Sequence, residues 1–451
     1  MNSKKSLINE KPNKSGRDDI AGLGVRQQAA LALSKVLKGE VFEPFSANEI
    51  ANSRDRALAN RLVTMSLRRH GHLDQIIKSL LDRGVPKRSG VFEAALRIGL
   101  TQLLFLPDIA EHSAIHLAVE TIRQDRRASR FDKLLNGVLR QAQRESQQWL
   151  SLENHLLFPS WIAQSWAKNY GDEALEKFGE ALLQGAPLDL TLKEKTPDIM
   201  EQLGATETIF DSVRVFSREK PVHKLPLYDE GEWWVQDVAA TIAARLFTFE
   251  GGAKNYNPKV LDMCAAPGGK TAQLAKTGYE VTALDNSPKR LQRLRENFKR
   301  LKYLIETLEA DANDFSTDQK FDGILIDAPC TASGVFRRHP EVLWQRGKEE
   351  IADRVALQQK LISSAVKSLV DGGQLIYCVC SLHEDEGESQ VNWVSKNFPQ
   401  LQLLPITEQE LDGLEGAITH QGYVRTHAGL SFSNQIEGAM DGFFIARWRL
   451  D

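Results

Sequence analysis

Along the first third of the chain, apolar residues recur every three or four positions, which is the period of an amphipathic helix. The pattern runs from about residue 24 to residue 147, and few strand signals interrupt it. The stretches VRQQAALALSKVLKGE and SGVFEAALRIGLTQLLFLP are typical of it. The sequence therefore predicts an all-α domain over residues 23–150.

The pattern changes twice further along the chain. Between residues 151 and 240, the helical stretch PSWIAQSWAKNYGDEALEKFGEALLQ precedes the extended stretch PLDLTLKEK, which predicts a small α+β connector domain. From about residue 255, helical stretches separate short apolar runs: KVLDMCA, EVTALDN, ETLEADA, FDGILIDAP and GQLIYCVCS. Strands separated by helices predict a parallel, doubly wound, Rossmann-like α/β domain over residues 241–451, with its ligand at the carboxyl ends of the strands.

Residues 1–22 are polar and lack an apolar central run, so we expect a disordered tail and not a signal peptide. No apolar run approaches the ~20 residues that a membrane span needs. The chain has four cysteines, all beyond residue 263, which is a poor disulfide framework and suits a reducing compartment. These features predict a cytoplasmic protein that does not bind membranes.

Charge divides the chain near the same place as the first change of pattern. Residues 1–150 hold 25 Lys and Arg against 16 Asp and Glu, a net charge of +9, and the rest hold 32 against 44, a net charge of −12. A basic domain before an acidic one indicates a polyanionic partner, although a basic domain without nucleic acid is the alternative. Eight basic residues could follow a phosphate backbone: Arg68, Arg69, Lys87, Arg88, Arg123, Arg126, Arg127 and Arg130.

The first strand of the α/β domain leads into the loop CAAPGGKT at positions 264–271. This loop is one residue away from the phosphate-binding G-x-x-x-x-G-K-[ST] pattern. Cys264 replaces the glycine that permits the tight turn, and Pro267 removes one of the backbone N–H donors. We therefore do not expect a nucleotide hydrolase.

An aspartate ends each of the next three strands, at Asp285, Asp311 and Asp327. Carboxylates in these places can accept hydrogen bonds from ribose hydroxyls and from the adenine amino group, and they repel phosphates. Beside a glycine-rich first loop, they favour S-adenosylmethionine, which joins an adenosine to a sulfonium cation. In the alternative interpretation, each aspartate only caps the helix or turn that follows it.

Two cysteines, Cys330 and Cys380, come just after strands on the ligand side. Thiols there indicate covalent chemistry on a poor nucleophile such as cytosine C5, because a thiolate that adds to C6 makes C5 nucleophilic and loss of the C5 proton then expels the thiol. Asp327 could hydrogen-bond or protonate cytosine N3 and so make C6 more electrophilic. Cys378 and Cys264 are expected to be inert packing residues.

Other polar clusters have simpler interpretations. Cys378 and Cys380 with His383 or His339 match no zinc pattern, and the histidines of the helical domain lack acidic partners at ligand spacing. We therefore predict no metal site. The segment HEDEGE at 383–388 is interpreted as a solvated, acidic helix start.

Two family resemblances extend these interpretations. The stretches ALRIGLTQLLFL, EHSAIHLAVETIRQ and FDKLLNGVLRQAQRE resemble the last three helices of the RNA-binding NusB fold. The stretches LDMCAAPGGKTAQLA, LDNSPKRLQRLREN, FDGILIDAPCTASGVFRRHPEVLW and CVCSLHEDEGE resemble successive motifs of the NOL1/NOP2/Sun family of RNA cytosine-5 methyltransferases. Together they cover nearly the whole chain, and their combination is similar to the bacterial members that act on 16S ribosomal RNA.

The second resemblance implies roles for individual residues. Cys380 would be the nucleophile, Cys330 would assist release of the methylated base, and small-subunit ribosomal RNA would be the substrate. Apart from the resemblance, we expect a monomer. The residues implied to hold S-adenosylmethionine are Cys264, Ala265, Ala266, Pro267, Gly268, Gly269, Lys270, Asp285, Asp311 and Asp327. The residues implied to lie near the RNA are Lys270, Arg337, Arg338 and His339.

Two other functions stay open at this point. A DNA cytosine methyltransferase also carries a Pro-Cys dipeptide, here Pro329-Cys330, but uses that cysteine as its nucleophile. A non-enzymatic RNA-binding factor could keep the fold without the reaction. Identifying the cysteine that forms the covalent adduct would distinguish the DNA methyltransferase from the RNA methyltransferase. A test of cofactor binding would distinguish the non-enzymatic factor from an enzyme.

Overall fold

The computed structural model describes residues 20–216, 220–249, 256–411, 413–432 and 438–451. The chain divides after Leu152 into a helical unit and an α/β unit. Positions 1–19 of the predicted N-terminal tail lie outside the described residues. Across the described ranges, no helix is long and apolar enough to cross a lipid bilayer.

The helical unit packs its α-helices around a single core, in which Leu33 and Phe92 are fully buried. The side chain of Asn52 begins the second helix by accepting hydrogen bonds from the backbone N–H groups of Arg54 and Asp55. The all-α prediction is confirmed. The helices are α1 (Leu23–Val36), α2 (Ser53–Arg68), α3 (His70–Leu80), α4 (Phe92–Phe105), α5 (Glu111–Arg123), α6 (Asp132–Arg144) and α7 (Ser146–Leu150).

The α/β unit begins with two helices, followed by a small antiparallel sheet in the order β2-β3-β1-β4. Its elements are α8 (Ser160–Tyr170), α9 (Asp172–Gln184), β1 (Leu188–Leu192), α10 (Pro197–Leu203), β2 (Thr206–Glu207), β3 (Ser212–Val215) and β4 (Trp233–Val235). The next helix, α11 (Ile242–Arg245), packs in one core with residues of the larger sheet. The connector therefore shares a compact unit with that sheet, and the domain boundary at residue 240 stays a prediction.

The larger sheet has eight strands in the order β10-β12-β9-β8-β5-β6-β7, with β11 also paired to β12. The strands are β5 (Lys259–Met263), β6 (Glu280–Asp285), β7 (Glu306–Glu309), β8 (Phe321–Asp327), β9 (Leu369–Val379), β10 (Leu401–Leu403), β11 (Val424–Thr426) and β12 (Phe443–Leu450). The helices of this part are α12 (Gly269–Thr277), α13 (Pro288–Leu301), α14 (Val342–Gln345), α15 (Lys348–Val366) and α16 (Glu388–Asn397).

Strands β5 to β9 are parallel, as the sequence predicts, and the central residues of β5, β6, β8 and β9 are buried because both sheet faces are covered. In the sheet, β6 and β7 lie on one side of β5, and β8 and β9 lie on the other side. Open α/β sheets bind ligands where the strand order reverses, here between β5 and β8. The sheet is mixed and not wholly parallel, because β10, β11 and β12 add an antiparallel edge that the sequence analysis did not identify.

Candidate active site

The loop after β5 turns at two residues in the left-handed conformation. Cys264 has a φ of +64° and Gly268 a φ of +102°. A Cβ on Gly268 would lie 2.9 Å from a ring carbon of Phe298, so only glycine fits there. Cys264, by contrast, adopts the conformation that the sequence argument reserved for glycine. The expectation that this turn needs glycine at position 264 is therefore wrong.

Asp285, the last residue of β6, is 1% exposed. Its Oδ2 accepts a hydrogen bond from the backbone N–H of Ala266 at 3.2 Å and pairs with Arg290 at 3.1 Å, and its Oδ1 accepts one from Ser287 N–H at 3.0 Å. A carboxylate oxygen can accept about two hydrogen bonds, so Oδ1 has capacity for one more. Asp285 thus ties the loop at 264–270 to the start of α13.

Asp311 lies two residues beyond β7 and is exposed. Its Oδ1 accepts hydrogen bonds from the backbone N–H of Asn313 at 2.9 Å and from the Asn313 side-chain amide at 2.8 Å. This contact is the turn-capping interaction of the alternative interpretation. The role of Asp311 in ligand binding stays a prediction.

A largely buried ion pair lies where the strand order reverses. Lys270 Nζ is 2.7 Å from Oδ2 of Asp327, and the Lys270 side chain is 8% exposed. The same Nζ lies 5.1 Å from the ring centroid of Phe443. Burial, the largest single effect, disfavours the ammonium ion, but the charge and hydrogen bond of Asp327 together with smaller contributions from the neighbouring cysteines raise the pKa of Lys270. Lys270 therefore stays positively charged next to the carboxylate.

The sulfur atoms of Cys330 and Cys380 lie 3.4 Å apart. They meet because β8 and β9 run parallel with Asp327 opposite Cys378, so both strands end at one level of the sheet. All four cysteines of the chain are free thiols. The structure thus brings together the two cysteines that the sequence places at separate strand ends.

Two of the neighbouring thiols are kept protonated. The hydrogen bond with Cys380, followed by burial, raises the pKa of Cys330 well above its ordinary value. Burial, followed by the charge of Asp327, does the same to the pKa of Cys378, whose thiol donates a hydrogen bond to Asp327 at 3.5 Å. Burial also raises the pKa of Cys264 to about 12. Because the thiolate is the reactive form, these shifts disfavour Cys264, Cys330 and Cys378 as nucleophiles at neutral pH.

Arg337 and Arg338 bind carboxylates within the protein. The guanidinium of Arg337, 1% exposed, lies 2.7 Å from Asp441 and 3.0 Å from Asp237, and Arg338 pairs with the same two carboxylates. Burial and pairing of the Arg337 guanidinium argue against RNA contact by this residue, and the RNA-contact role stays a prediction. Arg338 has its charge balanced inside the unit, and His339, with 50% of its side chain exposed, stays at the surface.

A buried carboxylate lies in the segment that the sequence analysis assigned to solvent. Glu386 is fully buried and His383 is 5% exposed, so the segment 383–388 is only partly solvated, through the exposed Glu384 and Asp385. Glu386 accepts hydrogen bonds from Thr331 and Ser381, each of which directly follows one of the two adjacent cysteines. The hydroxyl residue after each cysteine is the signal that could have revealed this contact. Within the described ranges, no group of three or more His, Cys, Asp or Glu residues could hold a metal ion.

The helical unit, considered by itself, has a surface cavity of about 1030 Å³ with a basic lining. Asp125 is an acidic residue in that lining. Two other predicted arginines are engaged elsewhere, since Arg69 stacks on Phe105 and Arg123 pairs with Asp132. The basic lining residues, all exposed, are Lys35, Lys38, Arg88, Arg126, Arg127 and Arg130.

Comparisons with known proteins match both units. The family described as 16S rRNA methyltransferase RsmB/F matches residues 253–449, and the NusB family matches residues 24–144. Ribosomal RNA small subunit methyltransferase B of Klebsiella pneumoniae (strain 342) is 30% identical over 409 residues, which cover 84% of this chain and 91% of that protein. The protein of the same name from Xanthomonas campestris pv. campestris is 32% identical over 412 residues, which cover 86% of this chain and 91% of that protein.

Solved structures share the fold at lower identity. The crystal structure of PH0851 covers 95% of this chain and 99% of its own, with a TM-score of 0.71 and 20% identity. NSun6 from Pyrococcus horikoshii covers 65% of this chain and 98% of its own, with a TM-score of 0.54 and 19% identity. These likenesses concern the fold alone.

Proposed function

The chain belongs to the RsmB/F family of 16S ribosomal RNA methyltransferases, and on that premise we propose that it transfers a methyl group from S-adenosylmethionine to C5 of a cytidine. The observation that carries the proposal is the 3.4 Å separation of the Cys330 and Cys380 sulfur atoms beside the Asp327–Lys270 ion pair. Two adjacent thiols, one of them kept protonated, suit a reaction in which one thiol adds to the base and the other assists its release.

The residues at the strand ends fit S-adenosylmethionine. Asp285 has capacity for a ribose hydroxyl, Asp311 is exposed, and Asp327 lies beside the thiols with 35% of its side chain accessible. We assign cofactor binding to these carboxylates and to the loop 264–270. When bound, the cofactor supplies an electrophilic methyl group on a sulfonium cation, whose positive charge the carboxylates attract.

We assign the nucleophile to Cys380. Its thiolate bonds to C6 of the cytosine, and the electron pair of the C5–C6 double bond makes C5 the carbon that is methylated. A base then removes the C5 proton, the double bond re-forms, and the bond from C6 to sulfur breaks. Cys330, a protonated thiol 3.4 Å from that sulfur, donates a hydrogen bond to the departing thiolate. As the thiolate adds to C6, N3 takes up a proton from water, and the Asp327 carboxylate accepts a hydrogen bond from this N3–H, which stabilises the adduct.

The target cytidine must be unstacked, because C6 is unreachable inside a helix and extrusion of a base costs a few kcal/mol. The basic cavity of the helical unit offers contacts to phosphates, which give affinity without sequence information. We therefore propose that the helical unit supplies RNA affinity and that the α/β unit supplies the reaction.

The reaction is tested with labelled S-adenosylmethionine, 16S ribosomal RNA that lacks the modification, and nucleoside analysis. We expect label in 5-methylcytidine with the wild-type protein and none with Cys380→Ala, because the adduct cannot form. Cys330→Ala should accumulate a protein–RNA adduct that survives denaturing electrophoresis, because release is impaired.

Cys378→Ala is the matched control, since it removes a thiol from the same strand end, and it should still form 5-methylcytidine. An adduct with Cys380→Ala and none with Cys330→Ala would assign the nucleophile to Cys330, as in DNA cytosine methyltransferases. Cofactor binding by calorimetry with no label in any nucleoside would contradict the proposed substrate.

A further inference from the structure

We propose that Glu386 is a positioning residue that holds Cys330 and Cys380 at their reactive separation by binding the residue after each of them. This inference rests on the proposed function, because it concerns the same two thiols. Glu386 lies in the short helical turn Glu384–Glu386, six residues beyond Cys380, and it is fully buried. Its carboxylate binds Thr331, Ser381 and Gln358, so its effect is exerted through these neighbours.

The carboxylate holds the Cys330 segment by two contacts to one residue. Thr331 donates its backbone N–H to Oε1 of Glu386 at 3.0 Å and its hydroxyl to Oε2 at 2.5 Å. Thr331 directly follows Cys330 and is 1% exposed. Two hydrogen bonds from one residue to one planar group restrict both the position and the orientation of the adjoining Cys330 backbone.

The same carboxylate holds the Cys380 segment. Ser381, which directly follows Cys380, donates its hydroxyl to Oε2 of Glu386 at 2.5 Å. Tyr377, on strand β9, donates its hydroxyl to the backbone carbonyl of Glu386 at 2.7 Å. The turn that carries Glu386 is therefore tied to the strand that ends in the Cys380 segment, and it cannot shift without moving Ser381.

Helix α15 supplies a third support. Gln358 Nε2 donates to Oε1 of Glu386 at 3.0 Å and to the backbone carbonyl of Pro329 at 3.1 Å. Gln390 Nε2 on α16 donates to Oε1 of Gln358 at 3.0 Å and so orients that amide. Gln358 and Gln390 are both fully buried. The residues on either side of Cys330 are thus bound to one rigid network.

A buried carboxylate is costly unless its oxygens are satisfied, and here four donors satisfy the two oxygens of Glu386. An apolar residue of similar size would have filled the space more cheaply but would remove the acceptor that these four donors share. The charge has a second consequence. After the hydrogen bond with Cys380 and burial, the negative charge of Glu386 further raises the pKa of Cys330 and favours its protonated form.

Two matched variants separate the position of the thiols from the charge beside them. Glu386→Gln keeps one acceptor oxygen for Thr331 N–H and Gln358, and its amide can donate to the hydroxyls of Thr331 and Ser381. Glu386→Met keeps the volume but accepts no hydrogen bond. We expect Glu386→Gln to retain kcat within about threefold and Glu386→Met to lose about 10²-fold in kcat, because displacement of reacting groups by ~1 Å has that effect.

A readout without RNA makes the test independent of the proposed function. Hydrogen peroxide oxidises two adjacent thiols to a disulfide and is itself reduced to two molecules of water. The rate of Cys330–Cys380 disulfide formation, followed by mass spectrometry of the joined peptides, therefore reports on their separation. We expect Glu386→Gln to react no more slowly than the wild type and Glu386→Met to react at least about tenfold more slowly.

Two single-contact variants keep the inference testable if Glu386→Met does not fold. Thr331→Val removes one contact on the Cys330 side and should accumulate the RNA adduct, whereas Ser381→Ala removes the contact on the Cys380 side and should slow adduct formation. Cofactor affinity by calorimetry should not change in either. The inference would be overturned if Thr331→Val and Ser381→Ala both kept the kcat, adduct kinetics and disulfide rate of the wild type. It would also be overturned if Glu386→Gln and Glu386→Met lost kcat to the same extent. If the wild type methylates no cytidine, the disulfide rates still decide the role of Glu386.

Discussion

Two arginine clusters that look alike in sequence have opposite surroundings in the structure. Arg126, Arg127 and Arg130 line an open basic cavity in the helical unit. Arg337 and Arg338, in the α/β unit, instead share the carboxylates of two acidic residues distant in the chain. Both clusters were expected to contact RNA, but only the first presents its charge to solvent.

The two clusters differ in whether distant carboxylates reach the arginines, and this decides whether an arginine pair supports the fold or faces solvent. Asp237 and Asp441 lie about 100 residues before and after Arg337, and they converge on it only through tertiary structure. A buried guanidinium with two such partners is part of the scaffold and holds the segment after Cys330 against the C-terminal strand region. Arg126, Arg127 and Arg130 are exposed, so their charges remain available to phosphates.

The largest effect should come from Arg337→Met, which leaves two buried carboxylates with only Arg338. We expect the α/β unit to lose about 3–5 kcal/mol in its free energy of unfolding, because removal of one partner strands the buried charges of the others. Denaturant unfolding followed by tryptophan fluorescence measures this, since seven of the eight tryptophans lie beyond Leu152. Arg127→Met is the control and should change stability by less than about 0.5 kcal/mol. Equal stability of the two variants would remove the distinction between the clusters.

An intermediate effect is expected for the triple variant Arg126→Ala, Arg127→Ala and Arg130→Ala. RNA affinity should fall about 10- to 100-fold at low salt, and the slope of log affinity against log salt should decrease by up to about 2, because three phosphate contacts are lost. Filter binding over a salt series measures both quantities. Arg61→Ala, which removes an exposed arginine paired with Asp108 in the same unit, should leave the slope unchanged. An unchanged slope in the triple variant would argue against the cavity as an RNA contact.

The smallest effect is expected for Arg338→Lys. The side chain of Arg338 is 24% exposed, and its planar guanidinium reaches both Asp237 and Asp441, which one ammonium group cannot match. We expect a loss of about 1 kcal/mol in the free energy of unfolding and no change in RNA affinity. If the Arg338→Lys variant had unchanged stability but bound RNA more weakly, Arg338 would be assigned to RNA contact and not to the protein scaffold.

Much of the fold follows from local pattern. The 3.6-residue period predicted the helical unit, and the short apolar runs predicted strands β5 to β9 with Asp285 and Asp327 at strand ends. The antiparallel edge was missed because β10 and β11 are only three residues long. β12 has no clear alternation, since nearly all of it is buried.

The sequence predicted which residues form the candidate site, but it did not predict the contacts that hold them in place. The sequence by itself determined that Cys330 and Cys380 follow parallel strands and that carboxylates end the neighbouring strands, because the position of a residue at a strand end depends only on local periodicity. The 3.4 Å contact between the thiols, the burial of Arg337 and the network around Glu386 were decided by tertiary structure alone. Each depends on partners roughly 50 to 100 residues away, and a charge at the surface cannot be distinguished from one in the core until those partners are placed.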